Sequence, residues 1–175
     1  MNNPSIIDSF RNEYYFLSNF YEAPITFDGN TYLNNEAAFQ AQKVLSGRER
    51  FANLNPSEAK HLGRRVSLRP DWESVKVNLM RDIVRAKFAQ NEDLREKLLN
   101  TGDAYLIEGN DWGDKIWGQV NGAGQNLLGK ILMEVREELR NILNAMSALE
   151  NGIKPSAKKL EDFKAERLSK YENNH

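Results

Sequence analysis

In the segment NNEAAFQAQK, residues 34–43, Glu36, Gln40 and Lys43 are spaced by four and three. A helix brings all three onto one face. Such a face can be surface decoration, or it can present a carboxylate, an amide and an amine to one reacting group. Asp114-Lys115-Ile116-Trp117-Gly118 sets a carboxylate three residues before an aromatic wall, and a turn-forming aspartate accounts equally well for that spacing. Arg64-Arg65 follows Gly63; two guanidinium forks there could grip phosphate oxygens or simply complement a helix dipole. Trp72, just after Asp71, could stack on a flat base or pack on the core.

Other chemistries are restricted. The chain has no cysteine, which excludes disulfides, thiolate metal sites and a cysteine nucleophile. His61 is isolated, His175 is terminal and no G-x-S-x-G surrounds a serine, so neither a metal centre nor a serine triad is expected. Carboxylates and a lysine remain. That set suits cleavage at an anomeric carbon, where one carboxylate supports an oxocarbenium-like centre or directs water and another group protonates the leaving group. A lysine could alternatively trap an opened sugar as a Schiff base.

The elements that would position these groups follow from the hydrophobic pattern. Pro24–Phe27 and Thr31-Tyr32 around Asp28-Gly29-Asn30 read as a hairpin. Asn34 or Asn35 caps a helix through Leu45, closed by Gly47. Pro56 starts a short helix ending near Gly63. Asp71 caps a longer one through about Phe88, with Val75, Leu79, Ile83, Val84 and Phe88 on its core face. A short helix spans Asn91–Leu99, and Tyr105–Glu108 is a short strand.

That strand enters Asn110–Gly129, which holds two of the three tryptophans and five of the eleven glycines. An ordered, chemically active loop is expected there. Its glycines miss the dinucleotide pattern G-x-G-x-x-G. Gly122 and Gly124 instead allow a tight turn, Asn126 caps the last long helix, and free amides at that helix start could meet an anion. Leu128 to Met146 then trace a continuous apolar face to a stop near Gly152.

With 175 residues, 40% hydrophobic and 28% charged, one domain with a sizeable core is expected. A formal charge of −1 provides no global field for a nucleic-acid backbone. The first 24 residues lack a signal peptide's basic start and apolar core, and no apolar run of about 20 residues could span a bilayer, so cytoplasmic residence without membrane association is expected. The expected division is a domain over 1–146 and a charged helical appendage over 147–175.

Together the motifs resemble the NADAR family, also called YbiA-like: YFLSNF at 15–20, NNEAAFQAQK at 34–43, EAKHLGRRV at 58–66, DWESVK at 71–76, AKF at 86–88, TGDAYLIEGN at 101–110, DKIWG at 114–118 and NLLGKILMEVR at 126–136. The resemblance implies an α+β domain, mainly helical with a small sheet or hairpin. It also implies hydrolysis of an N-glycosidic bond between a phosphorylated ribose and an amine-bearing base, with no metal or cofactor. Two substrate classes belong to the family: ADP-ribose on guanine in nucleic acid, where an ADP-ribosyltransferase toxin is the implied partner and the enzyme its antitoxin, and phosphoribosylamino-pyrimidine intermediates of riboflavin synthesis.

By the same resemblance, Glu36, Asp114 and Lys43 are the catalytic candidates, the lysine as Schiff-base former. Trp72 and Trp117 would flank the base, Gly63-Arg64 would contact phosphate, and Asn19, Phe20, Gln40 and Gly118 complete the pocket. One departure is Ala37, where the family usually has histidine; a helix neighbour of Glu36 points about 100° away from it, and the substitution favours the alternative of a non-catalytic ADP-ribose or nucleotide-binding module.

Overall fold

The computed structural model describes residues 5–152. Two small sheets frame its helices. Strand β1 (Ile6–Ile7) runs parallel to β4 (Tyr105–Leu106), while β2 (Glu22–Phe27) and β3 (Asn30–Asn34) form an antiparallel hairpin. Asp28 and Gly29 close the hairpin with φ of 48° and 77°, the left-handed pair that a tight turn between right-twisted strands requires. Pro24, which has no N–H to donate, falls in a register irregularity between Glu22 and Ile25.

Five α-helices complete the described chain: α1 (Asn35–Ala41), α2 (Pro56–Gly63), α3 (Trp72–Gln90), α4 (Glu92–Asn100) and α5 (Leu127–Glu150). The fold is α+β and mainly helical, as expected. Asn34 caps α1 by accepting from Ala37 N at 2.7 Å. Asn55 and Glu58 form a reciprocal capping box around Pro56, so the amides of Asn55 and Glu58 need no outside partner and Pro56 has no N–H to satisfy.

Several expectations change. Helix α1 ends at Ala41 rather than Leu45, because the next amides bond three residues back and Lys43 O accepts from Arg69 N at 2.7 Å. Asp71 precedes α3 but makes no side-chain cap; Arg69 holds its carboxylate through Nε and Nη2 at 2.6 and 2.9 Å. On α3 the buried positions are Trp72, Met80, Ile83, Val84, Lys87 and Phe88, whereas Val75 and Leu79 are only half-buried. The strand β1 had no sequence signal of its own, since two residues are too few for alternation to register.

The core gathers Ile25, Tyr32, Phe51, Ile83, Phe88, Leu98, Leu106, Leu132 and Val135, all inaccessible to solvent. Gln90 ties α3 to the hairpin: its amide accepts from Thr26 N and donates to Thr26 O, both at 2.8 Å, in the manner of another strand.

The chain divides into two compact units between Glu137 and Glu138, within α5. In the first, Leu128, Ile131, Leu132 and Val135 are buried. In the second, Ile142, Leu143, Met146 and Leu149 are exposed, so the apolar face read as continuous is buried only along its first half. From residue 153 on, the expected appendage lies outside the described residues. No helix among the described residues is long and apolar enough to cross a membrane.

Candidate active site

A cavity of about 630 Å³ collects the chemistry. Glu36, Gln40 and Lys43 line it from α1 and the turn after it, Trp72, Lys76 and Met80 from α3, and Glu108, Trp112, Asp114 and Trp117 from the loop after β4. Phe10, Arg11, Asn12, Tyr15, Asn19 and Phe20, from the segment between β1 and β2, also line it. All three tryptophans of the chain face this one space.

Glu36 sits in the first turn of α1, where the helix dipole favours its negative charge. Its Oε1 accepts from Gln40 Nε2 at 2.7 Å, one helical turn on. Burial pushes the carboxyl up from its ordinary value, while the Gln40 hydrogen bond and then Lys60 and Lys43 oppose that rise. Gln40 is itself confined: a Cβ at Gly63 would overlap its Oε1, so α1 and α2 cross this closely only because position 63 has no side chain. Gly63 O in turn accepts from Lys43 Nζ at 3.2 Å, and that ammonium lies 5.9 Å from the Trp72 ring centre. Burial lowers the Lys43 pKa, with Glu36 acting against the shift.

Asp114 lines the cavity and also closes a turn. Its Oδ1 accepts from Ile116 N and Trp117 N at 3.0 and 2.9 Å, a side-chain-closed turn. Asn110 fixes the turn from outside, donating to Asp114 O at 2.7 Å and accepting from Asp114 N at 2.9 Å. The turn delivers Trp117 edge-on to Phe39, centroids 5.3 Å apart, and Phe39 also meets Trp72 at 5.1 Å. An aromatic wall of three rings therefore joins α1, α3 and the loop.

The loop is ordered by its own backbone. Gln125 N, Asn126 N, Leu127 N and Leu128 N donate to the carbonyls of Lys115, Gly118, Ile116 and Trp117. The first two amides of α5, Leu127 N and Leu128 N, are thus already occupied by the loop. Asn126 does not cap the helix with its side chain; its amide donates to Leu106 O at 2.9 Å and accepts from Glu108 N at 3.0 Å. Gly122 and Gly124 have φ of 77° and 146° and form the expected turn.

Sequence reasoning passed over three side chains here. Glu108 closes β4's extension and lines the cavity. Burial first, then the charges of Asp114 and Glu36, push its carboxyl up to about 7. Lys60, on α2, lines the cavity with its Nζ 5.7 Å from the Phe20 ring centre. Lys87, fully buried beneath the site, donates to Phe16 O at 2.6 Å and Ser18 O at 2.9 Å, and burial lowers it to about 7. It anchors the segment that leads into Asn19 and Phe20. Asn19 O accepts from Glu36 N at 3.1 Å, and Asn19 Nδ2 contacts Met80 Sδ at 3.3 Å. The signal for Lys87 was its place one turn after Ile83, at core spacing.

Two named candidates lie off the lining. Arg64 caps the end of α2 with an exposed side chain. Gly118 is buried, and a Cβ there would overlap Glu108 O, so its place in the fold is close backbone packing. Ala37 is inaccessible to solvent and is also absent from the lining; the side chain that replaces the usual histidine points into the core.

The model of the NADAR domain matches residues 7–140. The chain belongs to the NADAR family. Over 133 residues, 73% of this chain and 82% of the other, it is 46% identical to the N-glycosidase YbiA of Shigella flexneri serotype 5b. Over 136 residues it is 42% identical to the N-glycosidase Npun_R5314 of Nostoc punctiforme, covering 73% and 86% of the two chains. The solution structure of Escherichia coli YbiA superposes with a TM-score of 0.71 at 41% identity, over 86% of this chain and 90% of that one. This NADAR chain is accordingly a glycosyl hydrolase of the N-glycosidase class.

Proposed function

We propose that the chain hydrolyses the N-glycosidic bond joining ADP-ribose to the amino group of guanine. The observation that carries this reading is the convergence of three carboxyl groups, Glu36, Glu108 and Asp114, with seven aromatic rings in one cavity. ADP-ribose joined to guanine carries two purines, adenine and guanine, and so gives those rings two flat bases to stack on. The reaction breaks the bond from C1′ to nitrogen, leaves the electron pair on nitrogen and adds water across the break.

Glu108, whose carboxyl burial pushes up to about 7 so that a large fraction still holds its proton at neutral pH, donates that proton to the departing nitrogen. Glu36 and Asp114 face the cation developing at C1′ and accept the proton of the incoming water. Trp72 and Trp117, locked through Phe39, flank the base. Lys43, with its pKa lowered, is suited to form a Schiff base with opened ribose. Borohydride then traps a ribosyl adduct on the wild type and none on Lys43→Ala; turnover without any adduct removes the covalent route.

A second reading, hydrolysis of phosphoribosylamino-pyrimidine intermediates, draws support from a relative. The Vibrio vulnificus riboflavin biosynthesis protein VVA0006 is 42% identical over 131 residues, which are 35% of that longer protein. Purified protein incubated separately with an ADP-ribosylated guanine oligonucleotide and with the pyrimidine intermediate decides between them. Release of ADP-ribose and its loss in Glu36→Gln support the first reading. Release of base from the pyrimidine alone supports the second. A toxin that writes the guanine mark is the partner the first reading calls for.

A further inference from the structure

Four cations line the cavity: Arg11, Lys43, Lys60 and Lys76. Three have partners. Arg11 pairs with Asp111 at 3.6 Å, Lys76 pairs with Glu73, and Lys43 donates to the Gly63 carbonyl. Lys60 differs. Among the described residues its ammonium has no carboxylate or carbonyl within bonding distance, only the face of Phe20. Its donors are therefore committed to no protein acceptor, and an anionic ligand entering the cavity can take the place of the water that solvates them.

We infer that Lys60 is the anion receptor of this cavity and binds a phosphate attached to the ribose of the substrate. The inference rests on the proposed ribosyl-phosphate chemistry. The Phe20 ring lies under the Lys60 ammonium, and both side chains line the cavity. A compact point charge suits a tetrahedral phosphate, and partial exclusion of water strengthens the attraction. Arg64, the arginine that the G-R motif offers for the same task, is on the exposed end of α2 and outside the lining. The competing role for Lys60 is purely electrostatic support of Glu36 and Glu108, whose carboxyls both feel its charge.

Binding of ribose 5-phosphate and of ribose, followed by quenching of the three cavity tryptophans, separates these roles. In the wild type the phosphate compound should bind at least about tenfold tighter than ribose, the effect of one charge-assisted contact. Lys60→Met should abolish that preference, and Arg64→Met should retain it within about twofold. Lys60→Gln serves as the second variant if the methionine form misfolds by circular dichroism.

A preference that survives in both Lys60 variants, a preference lost instead in Arg64→Met, or a wild type that does not distinguish the two sugars overturns the inference. So does a shifted pH profile in Lys60→Met with phosphate preference intact, which assigns the electrostatic role. Phosphate preference lost in the Lys60 variants, with no N-riboside hydrolysed by the wild type, upholds the receptor and removes the proposed activity.

Discussion

Gln40 Nε2 donates to Glu36 Oε1 at 2.7 Å while Gln40 Oε1, buried under Gly63, has no partner of its own. The amide is therefore held in one orientation by steric fit, with its donor committed to the carboxylate. That arrangement stabilises the charged form of Glu36 against a desolvation that favours the neutral one. Gln40→Leu removes the donor and moves the Glu36 titration upward. The acid limb of kcat/KM should move to higher pH, and activity at pH 7 should fall about tenfold, one charge-assisted hydrogen bond's worth. An unchanged acid limb in the folded variant would show that Glu36 is not the group that must ionise.

Glu108 titrates near 7 because burial and the neighbouring carboxylates disfavour its anion. The folded state thus keeps a proton that the unfolded chain releases near the ordinary value of 4.5. Stability is full below pH 4.5 with respect to this group and declines as pH rises toward 7, by on the order of 3 kcal/mol, then levels off. Glu108→Gln should remove that slope, making the variant more stable than the wild type at pH 8 in urea titrations. It should also lose the alkaline limb of the rate profile and roughly a hundredfold in kcat.

Asp114 closes its turn with Oδ1 alone, so turn and charge are separable. Asn retains an acceptor oxygen; Ala does not. Asp114→Asn should keep the wild-type Tm and lose about 10² or more in kcat. Asp114→Ala should show the same rate loss plus a destabilisation of about 1–2 kcal/mol from two unanswered backbone amides. Equal loss of stability in both variants would mean that the charge, not the acceptor, holds the turn.

Lys87 binds two carbonyls of the segment that leads into Asn19 and Phe20 and lies against the faces of Tyr21 and Phe88, with no carboxylate partner among the described residues. Lys87→Met preserves the apolar stem and orphans both carbonyls. Urea denaturation should register a loss of about 2 kcal/mol. Because Asn19 also accepts from Glu36 N, KM should rise as the wall loosens, measurably in the fraction that remains folded.

Local signals made much of this protein legible. Glu36, Gln40 and Lys43 share a helix face because four- and three-residue spacings align on any α-helix, and the Asp28-Gly29 turn and the Pro56 helix start follow from backbone preferences of single residues. Motif order along the chain identified the family for the same reason: each motif is contiguous. The ends of elements were less legible. Lys43 O leaves α1 for Arg69 N, and the Asn126 side chain leaves α5 for Leu106 and Glu108; both choices depend on partners distant in sequence.

Only the tertiary structure decided which charges face the cavity. Spacing places Lys87 among core positions and Glu108 at the end of a strand, but neither position reveals whether a carbonyl pair or a cluster of acids awaits it. The choice of Lys60 over Arg64 in the cavity wall depends on how α2 crosses α1 at Gly63, a contact set by the volume of Gln40. Burial and charge coupling act between segments dozens of residues apart, so the ionisation states on which the chemistry depends arise only when the helices and the loop are packed together.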